Sequence, residues 1–143
     1  MLKKLKPEDI ESLVVHCSAT PSDMEIGVED IDRWHRERGW RKVGYHYVIT
    51  RSGVIQFGRC HNEVGAHARG HNTSSVGICL VGGVDSDQQP EENYTPEQYE
   101  ALDVLLEVLV LAYPNATVLG HCDLPGVTKE CPCFDVRGWY GQA

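Results

Sequence analysis

His121, Cys122, Asp123, Lys129, Cys131 and Cys133 crowd into the fifteen residues GHCDLPGVTKECPCF, 120 to 134, and His16 closes the apolar run LVVH, 13 to 16. His16 and His121 share one property. Each ends a short apolar run, LVVH in one case and ATVLG in the other, so two neighbouring parallel strands would bring both imidazoles to one sheet edge. Cys131, ten residues after His121, can loop back to meet them. Two neutral imidazoles and one thiolate leave a single positive charge on Zn2+ and an open fourth position, the arrangement of a catalytic site. An ion so held polarises a carbonyl and lowers the pKa of bound water to about 7.

Other readings compete with this set. A histidine at a strand end is commonly a hydrogen-bonded packing residue, and His121 with Cys131 lacks the C-x-x-C kind of spacing. In an extended segment Cys133 faces the same way as Cys131, so both sulfurs and both histidines would close a neutral, structural site. A Cys131 to Cys133 disulfide is disfavoured, because so tight a loop strains the dihedral geometry. Lys129, two residues before Cys131, could steady the oxyanion built when an amide is hydrolysed, or could be a solvated loop lysine. Tyr45 offers a phenol that can orient water or donate to a leaving group, although a hairpin tyrosine is usually core. His35, His46, His61 and His71 read as structural or surface residues.

The elements that must position these groups are legible in outline. Residues 13 to 16 read as a buried strand, followed by a turn at 18 to 22. Residues 28 to 38 read as a helix, with Val28, Ile31, Trp34 and His35 at helical spacing and Gly39 placed to stop it. GYHYVITRSGVIQFG reads as a hairpin around Arg51, Ser52 and Gly53. Its period-two alternation separates Tyr45, Tyr47 and Ile49 from His46, Val48 and Thr50, so Tyr45 and His46 cannot face the same pocket. VGICLVGG reads as an interior strand. In TPEQYEALDVLLEVLVLAYP, Thr95 caps, Pro96 takes the first helical position and Gln98 closes a capping box. Tyr99, Leu102, Leu105, Leu106, Leu109 and Tyr113 then form one stripe, and Pro114 ends the helix. Strands and helices alternate, which predicts an α/β fold: one domain, 1 to 143, with a central mixed sheet flanked by helices and a site beyond the carboxyl ends of its strands.

Composition narrows the function classes. The 143 residues carry a formal charge of −8, and their thirteen lysines and arginines are scattered, which argues against general nucleic-acid binding. Any anionic partner must be held by a local cleft. The start, MLKKLKPEDIESL, has no apolar run of the kind a secretory signal needs, and no stretch suits a membrane span. Cytosolic synthesis is therefore expected, where six cysteines point to thiols and metal ligands rather than disulfides.

Five blocks, VVHCSATPS, IGVEDIDRWHRERGW, VGYHYVITRSG, VGAHARGHNTSSVGICLVGG and KECPCFDV, resemble in order and spacing the zinc-dependent N-acetylmuramoyl-L-alanine amidases of the peptidoglycan-recognition type. Within that family the likeness is to small bacteriophage amidase lysozymes. The resemblance implies His16, His121 and Cys131 as ligands of one Zn2+, Tyr45 and Lys129 as catalytic residues, and His67 as a substrate-pocket residue. It implies peptidoglycan as substrate, a monomer without membrane insertion, and an endolysin reaching the wall after holin-type release. Relatives of this kind imply two alternatives: a non-catalytic peptidoglycan-binding module, and a second partner in the phage RNA polymerase. The longer spacing through Leu124 to Thr128 departs from phage members and is closer to that of bacterial recycling amidases. Cys133 and Cys122 match no family function.

Overall fold

The computed structural model describes residues 4–141. Its elements run β1 (Ser12–Cys17), α1 (Val28–Glu37), β2 (Tyr47–Ile49), β3 (Ile55–Phe57), β4 (Ser75–Leu80), α2 (Pro96–Ala112), β5 (Thr117–Gly120) and α3 (Val136–Tyr140). The strands form one mixed sheet in the order β3-β2-β4-β1-β5. β1 pairs in parallel with both β4 and β5, β2 in parallel with β4, and only β3 runs antiparallel, as the second arm of the hairpin. β1 and β4 are buried along their whole length, as expected of parallel strands covered on both faces.

Alternation along β1 divides the core. Leu13 and Val15 point to the side where Leu102, Leu105, Leu106 and Leu109 of α2 pack. Val14 belongs to a separate cluster with Leu119 and Leu124, and by the same period of two His16 shares its face. On the hairpin side, Ile31 of α1 packs with Val43, Val48 and Cys79. The sheet thus has α2 on one face and α1 on the other.

Local chemistry explains both long helices. Thr95 accepts the Gln98 backbone N–H at 3.1 Å while the Gln98 side chain accepts that of Thr95 at 3.0 Å, and Pro96 opens the helix. Leu102 and Leu106 are fully buried, each contributing roughly 1.5–3 kcal/mol of transfer free energy. In α1, Asp30 accepts the Gly27 N–H at 3.0 Å, Gln56 reaches across from β3 to the Val28 N–H at 2.7 Å, and Gly39 at φ +92° follows the last turn. Short α3 lies outside the elements expected from sequence. Asp135 caps it, Val136 buries into the main core, and Phe134 and Trp139 meet Tyr99 of α2 with ring centroids 5.4 and 5.7 Å away. Tyr99 is consequently only half-buried, at the edge of the stripe rather than within it.

Candidate metal centre and cleft

Val15 of β1 lies opposite Gly120 of β5, so the next residue along each strand is a histidine and the two stand side by side at the carboxyl end of the sheet. Their ring centroids are 4.5 Å apart. The following chain returns to them. Cys122 donates its backbone N–H to the Cys131 carbonyl at 2.9 Å, and the Cys131 sulfur accepts the backbone N–H of Cys17 at 3.1 Å. One donor atom from each of His16, His121 and Cys131 then lies within 4.8 Å of the others, a separation that one ion can span. The His16 Nε2 is 2.8 Å from His67 Nδ1, which leaves Nδ1 of His16 as the nitrogen available to a metal.

The electrostatics suit a cation. Burial, reinforced by His67 and His121, holds the His16 imidazole well below its ordinary range, and burial with the nearby Lys129 charge lowers His121. Both are therefore neutral ligands with a lone pair to offer. Its hydrogen bond with the Cys17 thiol, then burial, pushes the Cys131 thiol up. Cys17 moves down to about 7 through the same hydrogen bond. A divalent ion held by Cys131 would deprotonate that thiol outright.

Above the three donors opens a cleft of about 900 Å³. Tyr45 stands in its floor, its ring 5.1 Å from that of His16. The preceding residue is fixed on both sides. Gly44 donates its N–H to Nδ1 of buried His35 at 2.9 Å, and its carbonyl accepts the Ala66 N–H at 3.0 Å. A Cβ at Gly44 would stand 2.0 Å from the Ala66 carbonyl oxygen, so glycine is required by close approach. Burial pushes the Tyr45 phenol well above its ordinary range, so at neutral pH it is protonated and can donate. Lys129 is exposed on the cleft wall.

A family model described as N-acetylmuramoyl-L-alanine amidase (Amidase_2) matches residues 6–134. The chain belongs to this family. An endolysin of Enterobacteria phage K11 is 45% identical over 134 residues, 94% of this chain and 87% of that protein. Among solved structures, the N-acetylmuramoyl-L-alanine amidase LysC from Clostridium intestinale URNW has a TM-score of 0.76 at 31% identity, covering 90% of this chain and 80% of that one. Wild-type Drosophila PGRP-LB has a TM-score of 0.75, at 28% identity over 92% and 79% of the two chains.

The amidase thus brings together all six residues singled out by the resemblance: His16, Tyr45, His67, His121, Lys129 and Cys131 line one cleft. Cys133 stays out of it. At φ +75° its thiol turns away to donate to the Gly83 carbonyl at 3.3 Å, and it is absent from the three-donor cluster. Cys122 and Asp123 line a second groove that adjoins the first along Val127, Thr128 and Lys129, and Asp123 also accepts the Gly120 N–H at 2.9 Å. All six cysteines are free thiols. His46 is buried, bonded to the Glu63 carbonyl at 2.7 Å and the Gly77 N–H at 3.1 Å, with its ring 5.9 Å from that of cleft-lining His67. The alternation expected across 45 to 50 fails at its start: β2 begins only at Tyr47, and Tyr45 packs with Val48 on the α1 side rather than with Tyr47 and Ile49.

Residues missed by sequence reasoning form the walls: Trp34 of α1, Arg38 at its C-cap, Trp40, Arg69 and Asn72. Trp34 and Arg38 stand four apart, one turn of one helix face, which is a signal the sequence does carry. Arg38 lies over the Trp40 ring, 5.8 Å from its centroid. Arg38, Arg69 and Lys129 make this cleft locally cationic in a chain of net charge −8.

Proposed function

We propose that residues 1–143 act as one zinc-dependent catalytic unit, an endolysin that hydrolyses the amide joining the lactyl group of N-acetylmuramic acid to L-alanine in peptidoglycan. The observation that carries this reading is the convergence of His16, His121 and Cys131 within 4.8 Å on the floor of a cleft shared with Tyr45 and Lys129. The donor set fits zinc: two neutral imidazoles and one sulfur, with no fourth protein donor among the described residues. Bound there, Zn2+ supplies Lewis acidity at the scissile carbonyl and a water nucleophile at neutral pH.

The chain's own residues supply the rest. The Lys129 ammonium donates to the developing oxyanion, an interaction worth on the order of 3 kcal/mol. The protonated Tyr45 phenol orients the attacking water and exchanges a proton with the departing stem-peptide amine. Trp34 and Trp40 give the substrate apolar faces, and Arg38 and Arg69 offer cationic partners to the carboxylates of a stem peptide. The wall is the site of action, reached after a separate holin-type release; no described helix is long and apolar enough to cross a membrane.

The test is direct. Purified cell wall incubated with the zinc-loaded protein gains new L-alanine amino termini, and a chelator stops the gain. Muropeptide binding without bound zinc and without new termini would instead make the protein a binding module.

A further inference from the structure

His67 is engaged on both ring nitrogens. Its Nδ1 lies 2.8 Å from Nε2 of His16, and its Nε2 lies 3.3 Å from the Ser75 hydroxyl. The far end of this chain is unambiguous. Ser75 sits 2.7 Å from the His71 carbonyl oxygen, which can only accept, so the single hydroxyl proton of Ser75 is committed there. Ser75 Oγ must then accept from His67 Nε2–H. A neutral ring with its proton on Nε2 presents a bare lone pair at Nδ1, which accepts from His16 Nε2–H. That places the His16 proton away from the cleft and the Nδ1 lone pair towards the other two donors. One backbone carbonyl thereby dictates the tautomers of two histidines.

The ring is also held in place. Gly65 and Gly77 flank it, and a Cβ on either would stand 2.7 or 2.5 Å from a His67 ring atom. Asn72 Oδ1 accepts the backbone N–H of His67 at 3.0 Å and of Ala68 at 2.9 Å, which fixes the segment that carries the ring. With both nitrogens spent inside the protein, His67 has no polar ring atom to offer a substrate, although it borders the cleft.

We infer that His67 is a positioning residue for the metal centre, the middle of a relay His16–His67–Ser75–His71 carbonyl that presents Nδ1 of His16 to the ion. This rests on the zinc reading above and extends it to residues that never touch metal or substrate. A ligand histidine that donates its other N–H is oriented and made more basic, and loss of such a partner typically costs 10–100-fold in metal affinity.

Two measurements test the relay without substrate. In metal-free protein with 15N-labelled histidine, long-range 1H–15N correlation spectra at neutral pH are expected to show both His16 and His67 protonated on Nε2 alone. Protonation of His16 on Nδ1, or of His67 on both nitrogens, overturns the assignment. In zinc competition against a chromophoric chelator, His67→Ala is expected to bind about 10–100-fold more weakly. His67→Asn, whose amide oxygen approximates Nδ1, recovers most of that loss. Parent-like affinity in His67→Ala overturns the proposal. Should His67→Ala fail to fold, Ser75→Ala keeps both rings and removes only the anchor: mixed tautomers at His67 with several-fold weaker zinc support the relay, and an unchanged tautomer overturns it. A protein that passes these tests yet cleaves no wall refutes the amidase proposal and leaves the relay standing.

Discussion

The two halves of the metal centre are built by opposite means. His16 lies one residue before the end of β1 and His121 directly follows β5, both placed by a parallel register that sets Val15 opposite Gly120. Cys131 and Lys129 ride on a loop whose residues 128 to 130 are exposed, tied at its base by the backbone bond from Cys122 to Cys131. The strand half is inseparable from the core that makes the protein fold. The loop half contributes chemistry while carrying little of the fold. Damage to the strands that carry the first half is thus a stability event, whereas side chains of the second half can be lost with the fold intact.

The sharpest break is Cys131→Ser. It removes the only sulfur donor in the cluster, and the expected result is loss of the zinc equivalent by metal analysis and a fall of at least about 10³-fold in wall hydrolysis. Cys122→Ser and Cys133→Ser should both retain zinc, since neither sulfur belongs to the cluster. Next is Lys129→Ala: kcat drops about 10²–10³-fold with zinc content unchanged, and thermal stability stays within about 0.5 kcal/mol, as for an exposed side chain. The strand half gives the mirror image. Leu13→Ala, three residues before His16 and fully buried, costs about 2–5 kcal/mol in denaturant unfolding. Under conditions where that variant is still folded, its activity per zinc should equal the parent's. Equal stability losses from Lys129→Ala and Leu13→Ala would erase the distinction between the halves.

The smallest effect is acid sensitivity at His35. Burial, with Arg38 and Arg59 adding to it, lowers its pKa from 6.5 to about 4 in the folded protein. Folding therefore favours the neutral ring, whose Nδ1 accepts the Gly44 N–H beside Tyr45. That contribution is complete above the unfolded pKa near 6.5 and is lost as pH falls through about 4. The unfolding free energy should decline across this window, with a slope of at most ~1.4 kcal/mol per pH unit from this one group, and the thermal midpoint should fall with it. A His35→Gln variant should show a flatter profile.

Much of this division is visible in the sequence. Apolar runs that end on His16 and His121 announce the strand half, because a buried parallel strand has no polar face to hide its signal. The box Thr95-Pro96-Glu97-Gln98 announces α2 equally well. What stays hidden depends on approach between distant segments. His67 and His16 are 51 residues apart, and nothing in either neighbourhood foretells their bond. Arg69 joins Trp34, Arg38 and Trp40 only when the 66 to 72 segment and α1 close over the sheet. Five-residue α3 has a glycine at its centre and is held by aromatic contacts to α2, too short for a periodic pattern. Cys133 is ambiguous in sequence for a related reason: same-side placement with Cys131 assumes extended backbone, and its φ of +75° breaks that assumption. Lys129 and Tyr45 acquire roles only through likeness to a family.

Register acts here as an address, and its consequence is evolutionary. Side chains in a strand alternate faces, so one residue inserted ahead of His16 or His121 would swing that imidazole to the far side of the sheet. The nine residues between His121 and Cys131 are under no such parity rule, because two hydrogen bonds at the base of the loop, Cys122 N–H to the Cys131 carbonyl and Cys17 N–H to the Cys131 sulfur, set where the sulfur lands. A change of length there need not move the ligand. That span, which also borders the cleft mouth, is where a lineage can acquire a new wall preference while inheriting its metal site intact.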